Sequence, residues 1–189
     1  MSNLLRIGLY GGTFDPIHNG HLHVIQQLFH LNIVDELLIV PAGVPWLRSR
    51  EPFASGDDRV EMVRLAIKDL STTIRPRVKV SDLEVRRTGS TYTIDTVQEL
   101  VAEKPNAKWL LILGSDAYEG IEQWHRSTEL QKLIEIVVVA REGKGIDIQA
   151  LPISASQVRA EIAKNPAEVK DIPESVWTYI KERHLYASK

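Results

Sequence analysis

The segment GGTFDPIHNGH, residues 11–21, constrains the fold more than any other part of this sequence. It follows an apolar run that ends at Tyr10, and it precedes a helical pattern that begins with Leu22, Ile25 and Leu28. Glycines let backbone N–H groups approach an anion closely, and a helix N-terminus carries about half a positive charge. A strand, a glycine turn and a helix start in this order predict a turn that binds phosphate.

Apolar runs alternate with helical patterns along the rest of the chain. The runs predict strands over residues 4–10, 36–40, 78–83, 109–113 and 136–140, and the patterns predict helices over 22–31, 58–70, 92–103, 127–133, 154–164 and 173–185. Continuous Val, Ile and Leu runs between helices are typical of a parallel sheet with both faces covered. We predict an α/β fold with a doubly wound parallel sheet, in one domain of residues 1–189 with a helical portion at 152–189.

Two glycine-containing turns are expected at one edge of this sheet. Doubly wound sheets bind ligands beyond the carboxyl ends of their strands, where the strand order reverses. Residues 11–21 follow the first predicted strand, and Gly114, Ser115 and Asp116 follow the strand at 109–113. We therefore expect both turns to lie at the same edge of the sheet.

Composition narrows the classes of protein that this chain could represent. Its formal net charge of −2 argues against a nucleic-acid binder, which would be clearly basic. The chain has no cysteine, which excludes disulfides, thiolate zinc sites and a cysteine nucleophile and fits a reducing compartment. No apolar stretch approaches the ~20 residues that cross a bilayer. We expect a cytoplasmic protein that binds no nucleic acid and no membrane; its oligomeric state stays open, a homo-oligomer included.

His18 and His21 flank Gly20 within the first turn, and three roles are open to them. Metal binding is disfavoured because the pair lacks the i, i+4 spacing of a helical zinc pair and a third ligand nearby. A structural role would have both rings capping loop carbonyls. Gly20 permits close approach and favours the third role, in which both rings face one anionic ligand. The commonest phosphate motifs, G-x-G-x-x-G and the P-loop, are absent.

Two motifs at opposite ends of the chain resemble those of nucleotidyltransferases with an H-x-G-H site. GGTFDPIHNGH is similar to their first motif, and ISASQVR at residues 153–159 is similar to their second, usually written ISSTxxR. Four further features resemble bacterial nicotinate-nucleotide adenylyltransferases in particular. They are GSTYTIDT at 89–96, LGSD at 113–116, Trp124, and the ending HLY at 184–186. The resemblance covers essentially the whole chain and implies a Rossmann-like nucleotidyltransferase fold.

This resemblance implies transfer of AMP from ATP to nicotinate mononucleotide, with release of pyrophosphate, in NAD synthesis. It implies catalytic roles for His18, His21 and Arg159 against the phosphates of ATP, with His21 nearest the α-phosphate. Mg²⁺ would be bound mainly through the phosphates. The implied ATP-binding residues are Gly11, Gly12, Thr13, Phe14, Gly20, Gly114, Asp116, Ser154 and Ser156. The implied substrate-binding residues are Asp15, Arg48, Tyr92, Thr93 and Trp124.

Simpler structural roles stand beside three of these assignments. Ser154 and Gln157 fit a capping box, which could merely start a helix, although a capped helix start also suits a triphosphate. Trp124 could pack in the core instead of stacking on the nicotinate ring. Thr93 could serve only as the N-cap of the following helix.

The sequence departs from the family pattern in three places. Many members have P-P-H-K where this chain has PWLR at residues 45–48, so Arg48 replaces a lysine and can still meet a phosphate. Ala155 and Ser156 stand where the second motif usually has serine and threonine. REG at 141–143 replaces the usual R-P-G.

Other functions remain open to the sequence. The acceptor could be nicotinamide mononucleotide or phosphopantetheine, although phosphopantetheine adenylyltransferases usually have threonine in place of His18. Cytidylyltransferases usually carry a longer arginine-containing second motif. A nucleotide-binding domain without turnover would be expected to have lost a histidine or Arg159, and this chain has kept them.

Overall fold

The computed structural model describes residues 4–45, 51–140, 145–165 and 169–187. Its strands are β1 (Arg6–Gly12), β2 (Glu36–Pro41), β3 (Val44–Pro45), β4 (Val78–Val80), β5 (Ser90–Thr91), β6 (Lys108–Gly114), β7 (Glu135–Ala140) and β8 (Ile146–Asp147). Six of them form one sheet in the order β4-β2-β1-β6-β7-β8, and each neighbouring pair is parallel. β3 and β5 form a separate small parallel pair.

Helices cover both faces of the sheet. They are α1 (Asn19–His30), α2 (Gly56–Ala66), α3 (Leu83–Arg86), α4 (Thr93–Glu103), α5 (Ser115–Glu119), α6 (Ser127–Leu133), α7 (Ala155–Lys164) and α8 (Glu174–Glu182). Alternate residues of β6 enter two core clusters: Leu110 and Ile112 pack with α1, α2, α7 and α8, whereas Leu111 and Leu113 pack with α4 and α6. The predicted doubly wound parallel sheet is therefore confirmed.

The strand order reverses between β1 and β6. β2 and β4 lie on one side of β1, whereas β6, β7 and β8 lie on the other. Tyr10 of β1 pairs with Ile112 of β6, so the turns that follow these strands emerge side by side. This confirms that residues 11–21 and the turn at Gly114 share one edge of the sheet, where such folds bind ligands.

Several predicted boundaries differ from those observed. α1 begins at Asn19, three residues before the predicted start. The strand predicted over 78–83 ends at Val80, because α3 begins at Leu83. The helix predicted over 58–70 ends at Ala66 and continues as a single 3₁₀ turn. β3, β5, β8, α3 and α5 were not predicted, since elements of two to five residues carry too little periodicity to detect. None of the described helices is long and apolar enough to cross a bilayer.

The turn after β2 passes very close to α3 at Gly43. A Cβ on Gly43 would lie 2.2 Å from the carbonyl oxygen of Glu84 and 2.7 Å from Cγ2 of Thr91. The buried guanidinium of Arg59 also donates to the carbonyl oxygens of Gly43 (3.3 Å) and Thr13 (2.9 Å). The turns after β1 and β2 are thus held together, and the first of them contains the histidine pair.

We expect Gly43→Ala to lower the free energy of unfolding by about 2 kcal/mol, because the new methyl group must displace a backbone carbonyl. Equilibrium unfolding in urea measures this change. Gly120→Ala is the matched control, since its Cβ would meet its nearest neighbour at an ordinary 3.9 Å. The control also corrects for the unfolded-state effect of replacing glycine. Equal stability of the two variants would contradict the close approach at Gly43.

Candidate active site

The two histidines of the first motif stack on each other at the start of α1. His18 is the N-cap residue, and His21 lies in the first turn of the helix. Their ring centroids are 3.7 Å apart, with an angle of 29° between the planes. The backbone N–H of His18 donates to Nδ1 of His21 at 3.2 Å. His21 thus caps the start of the helix through a backbone N–H. The structure shows a structural contact for its ring, and the choice between a structural role and a role in anion binding stays open.

The environment of His21 keeps its ring neutral. Burial lowers its pKa well below the usual value, and the charge of His18 lowers it further. Because Nδ1 accepts a hydrogen bond, the single hydrogen of the neutral ring lies on Nε2. His21 can therefore donate one hydrogen bond, through Nε2–H, to an oxygen placed beside it.

Phe14 supports the histidine pair from within the core. Its ring meets the rings of His21 and Tyr10 edge-on, with centroid distances of 5.0 Å and 5.6 Å. Phe14 is only 2% exposed and has a left-handed backbone, with φ of 49°. Such a conformation is costly for a bulky residue and persists where the surrounding structure fixes it. The predicted contact between Phe14 and ATP stays a prediction, and the structure places its ring beneath the site.

Gly20 brings the second motif against the first. A Cβ on Gly20 would lie 3.0 Å from Nδ1 of His18 and 3.5 Å from Cβ of Ile153. A larger residue would therefore press on the His18 ring and push away the start of the second motif. The H-x-G-H spacing is explained by this close packing.

The second motif begins a capped helix, as predicted. Ser154 is the N-cap of α7: its Oγ accepts from the backbone N–H of Gln157 at 3.3 Å, and its own N–H donates to Oε1 of Gln157 at 3.1 Å. Arg159, on the next turn, donates from Nη1 to the carbonyl oxygen of Asp15 at 2.5 Å and from Nη2 to Oγ of Ser156 at 3.2 Å. The two motifs, far apart in sequence, thus meet in one place.

The carboxylate of Asp15 is buried and surrounded by donors. It accepts hydrogen bonds from the backbone N–H groups of Phe53 (2.8 Å) and Ala54 (3.1 Å) and from the hydroxyl of Tyr186 (2.7 Å). Nη1 of Arg159 lies 3.9 Å from its Oδ2. Both carboxylate oxygens are therefore engaged within the protein. The contact with substrate predicted for Asp15 remains a prediction, and in this structure Asp15 joins parts of the site.

Two residues of this region were missed by the sequence analysis. Arg59 is 2% exposed and holds the carbonyl oxygen of Thr13. Its spacing from the buried Met62 and Val63 places it on the buried face of α2, a signal that could have identified it. Tyr186 belongs to the HLY ending, but nothing in the sequence indicates that its hydroxyl reaches Asp15.

The edge of the sheet leaves room for a ligand. A Cβ on Gly11 or on Gly114 would meet no atom of the described chain within 4 Å. Gly114 is the N-cap of α5, and Asp116 is exposed in the first turn of that helix. The structure thus brings Gly11, Gly114 and Asp116 to the point where the strand order reverses.

A second group of predicted residues lies around the start of α4. Tyr92 is the N-cap and Thr93 the first helical residue, so the interpretation of Thr93 as the N-cap is wrong. The rings of Tyr92 and His125 are 4.2 Å apart. Trp124, which precedes His125, is half-buried and packs against the same core cluster as Tyr92. The structure thus brings these segments together and gives Trp124 a packing role, while stacking on nicotinate stays a prediction.

Some predicted positions fall outside the described residues. Arg48 lies there together with Trp46 and Leu47, and so does the REG segment at 141–143. Their assignments stay predictions.

Comparisons with known proteins show which family this chain resembles. A family model described as Cytidylyltransferase-like matches residues 9–161. A protein named Probable nicotinate-nucleotide adenylyltransferase from Methylibium petroleiphilum is 38% identical over 202 residues, which span 96% of this chain and 92% of that protein. One of the same name from Synechococcus sp. (strain JA-2-3B'a(2-13)) is 36% identical over 200 residues, spanning 96% of both.

A solved structure shows the same fold. It is the Plasmodium falciparum nicotinic acid mononucleotide adenylyltransferase complexed with NaAD, which matches with a TM-score of 0.79 at 25% identity. The match covers 96% of this chain and 97% of that one. With near full-length relatives at these identities and both motifs joined in one site, the chain belongs to the nicotinate-nucleotide adenylyltransferase family.

Proposed function

We propose that this chain transfers AMP from ATP to nicotinate mononucleotide, through a site made of His18, His21 and the second motif. The observation that carries this proposal is the contact between Arg159 and Asp15, which joins the two phosphate motifs beside the stacked histidines. The products are deamido-NAD and pyrophosphate, and the reaction belongs to NAD synthesis. The relative from Plasmodium falciparum was solved with NaAD, which supports a dinucleotide product here.

The chemistry needs positioning more than proton transfer. A phosphate oxygen of nicotinate mononucleotide attacks the α-phosphorus of ATP and forms a new P–O bond. The bond from the α-phosphorus to the bridging oxygen of the β-phosphate breaks, and its electron pair leaves with pyrophosphate. Because a phosphate nucleophile is ionised at pH 7, no general base is required. Orientation and stabilisation of the developing charge supply the rate.

The histidines are suited to the α-phosphate. Neutral His21 presents Nε2–H as a fixed donor, since its Nδ1 is engaged by the backbone of His18. The stacked rings and Phe14 hold that donor in one orientation. A donor that needs no rearrangement stabilises charge as it develops on the phosphate oxygens. We assign His21 to the α-phosphate and His18 to the neighbouring phosphate oxygens.

Arg159 and the start of α7 are suited to the β- and γ-phosphates. The ten-residue helix presents its N-terminus beside the first motif, and that end favours anions. Arg159 lies one turn further on, with a guanidinium that is only partly exposed. Its planar fork matches phosphate oxygens. Ser154 and Ser156 add hydroxyls at the same end of the helix.

We propose that Mg²⁺ accompanies ATP. The side chains gathered here offer imidazoles, hydroxyls and a guanidinium, while the oxygens of Asp15 already accept bonds from protein donors. Mg²⁺ prefers oxygen ligands and keeps several waters, so phosphate oxygens would be its main partners. When bound, the ion supplies neutralisation of phosphate charge. The residues of this chain orient the phosphates.

Tyr92, Thr93 and Trp124 are suited to the acceptor. Thr93 begins α4, so the backbone N–H groups at this helix start can receive the nicotinate carboxylate. Trp124 is half-buried and lies in the segment that contacts Tyr92, which leaves part of its ring for a pyridine ring. The cysteine-free composition fits a reducing compartment, and we propose the cytoplasm.

Offered three acceptors in parallel with ATP, the enzyme should release pyrophosphate with nicotinate mononucleotide and much less with nicotinamide mononucleotide or phosphopantetheine. The carboxylate distinguishes the first two acceptors, because a helix start favours an anion. Pyrophosphate release and the dinucleotide product are measured together.

Trp124→Ala extends this experiment. We expect it to raise KM for nicotinate mononucleotide about tenfold and to leave KM for ATP nearly unchanged, since one stacked ring contributes ~1–3 kcal/mol. Preference for another acceptor would overturn the assignment of the substrate. Tight ATP binding without turnover on any acceptor would indicate a binding protein instead.

His21→Ala should lower kcat about a hundredfold or more and change KM for ATP far less. The reason is that its hydrogen bond strengthens as charge develops in the transition state. Steady-state kinetics with saturating nicotinate mononucleotide separate the two parameters. His30→Ala is the control, because His30 is exposed at the far end of the same helix. An unchanged kcat for His21→Ala would remove His21 from the mechanism.

In the free protein, His21 should remain the neutral Nε2–H form as the pH falls from 8 to 6. Its pKa is lowered by burial and by His18, so protonation begins only further toward acid. Long-range ¹H–¹⁵N NMR spectra report tautomer and charge, and His21→Gln identifies the signal. In urea the same residue should titrate near the ordinary value of about 6.5. A folded-state midpoint at or above that value would contradict the prediction.

A further inference from the structure

The segment that follows α8 brings one side chain, that of Tyr186, into the site. After α8 ends at Glu182, His184 and Tyr186 both adopt left-handed backbone conformations, with φ of 52° and 61°. Such conformations are unfavourable for non-glycine residues and persist where surrounding contacts fix them. Here they bring the hydroxyl of Tyr186 to 2.7 Å from Oδ1 of Asp15. The position of Tyr186 is therefore a determined feature of the fold.

The carboxylate of Asp15 is satisfied by neutral donors. Oδ1 accepts from Tyr186 and from the backbone N–H of Ala54, and Oδ2 accepts from the backbone N–H of Phe53. The guanidinium of Arg159 lies close by but donates to the backbone carbonyl of Asp15, with its Nη1 3.9 Å from Oδ2. A buried carboxylate and an arginine would normally form a close bidentate pair. The neutral donors make that pair unnecessary.

We propose that Tyr186 is a positioning residue for ATP. Its hydroxyl donates a hydrogen bond to the carboxylate of Asp15, and this leaves the guanidinium of Arg159 available to the triphosphate. This inference rests on the proposed function, because it assumes that Arg159 binds phosphate. Tyr186 itself need not touch ATP. It acts through Asp15 on Arg159.

Removing the hydroxyl has a definite consequence in this geometry. Oδ1 would keep only the N–H of Ala54, and an under-satisfied buried carboxylate draws in the nearest available donor. Arg159 needs to move by only about an ångström to pair closely with Asp15, and that pair would compete with phosphate. The other cation near Tyr186, Arg59, already donates to the carbonyl oxygens of Thr13 and Gly43.

Tyr186 is suited to remain a donor throughout the neutral range. Burial raises the pKa of its phenol well above the ordinary value, and the charge of Asp15 raises it further. The hydroxyl therefore stays protonated. Replacing Tyr186 with phenylalanine removes this neutral donor to the carboxylate and keeps the aromatic ring.

Tyr186→Phe is the test. We expect the Kd of Mg·ATP, measured by calorimetry without acceptor, and KM for ATP to rise about tenfold, with KM for nicotinate mononucleotide within twofold of wild type. Thermal unfolding confirms that the variant is folded at the assay temperature. An unchanged Kd in the folded variant overturns the proposal.

Tyr179→Phe is the matched control. Like Tyr186, Tyr179 lies in the C-terminal part of the chain and donates from its hydroxyl to a carboxylate, that of Asp58, at 2.8 Å. Asp58 lies outside the phosphate contacts described above, so this variant should lose stability and keep the wild-type Kd for Mg·ATP. A rise in Kd as large as that of Tyr186→Phe would mean that general loosening is the cause, and would overturn the proposal.

A double-mutant cycle separates action through Arg159 from any other route. In an Arg159→Ala background, Tyr186→Phe should weaken Mg·ATP binding no further, because the residue that it acts through is gone. A full additional tenfold loss in that background overturns the proposal. Failure of the proposed function itself has a different signature, since the wild-type protein would then form no dinucleotide with any acceptor.

Discussion

A carboxylate buried in the turn after the first strand needs hydrogen-bond donors, and distant segments of the chain supply them. The carboxylate of Asp15 accepts hydrogen bonds from the backbone N–H groups of residues 53 and 54 and from the hydroxyl of Tyr186, and its carbonyl oxygen accepts one from Arg159. An unsatisfied group in this position would cost ~1–3 kcal/mol or more. The fold therefore closes around Asp15. The first motif, residues 53–54, the second motif and Tyr186 are fixed relative to one another by that requirement.

The parallel sheet decides where this closure happens. β1 lies at the centre, with its carboxyl end beside that of β6, and the strand order reverses between them. Helix N-termini gather at that edge, because each helix of a βαβ unit begins where a strand ends. α1 begins there, as does α5 after β6. The N-termini of several helices therefore favour a polyanion at this edge, in addition to any effect of charged side chains.

The features that repeat along the chain could be predicted from the sequence. Buried strands with continuous apolar residues gave the parallel sheet, and the two motifs identified His18, His21, Ser154 and Arg159 as neighbours. Contacts set by a single side chain could not be found in this way. Tyr186 reaches Asp15 from a segment in which two non-glycine residues adopt left-handed conformations, which no periodicity indicates. The start of α1 was placed too late because His18 and His21 are weak helix formers that here cap the helix themselves.

Two buried carboxylates, those of Asp58 and Asp15, each accept a hydrogen bond from a tyrosine of the C-terminal part of the chain, but they differ in how closely an arginine approaches them. Asp58 accepts from Ser55 and Tyr179 and also pairs directly with Arg183, at 3.2 Å. Burial alone would raise the pKa of Asp58, but these donors outweigh it and lower the pKa. Asp15 also accepts from a tyrosine, yet the nearest nitrogen of Arg159 stays 3.9 Å from its carboxylate. Arg183 pairs closely with its acid, whereas Arg159 lies at the long limit of an ion pair with Asp15 and donates its hydrogen bonds elsewhere. Under the proposed function, Arg159 releases and rebinds a triphosphate in each turnover, and the second arrangement suits that role.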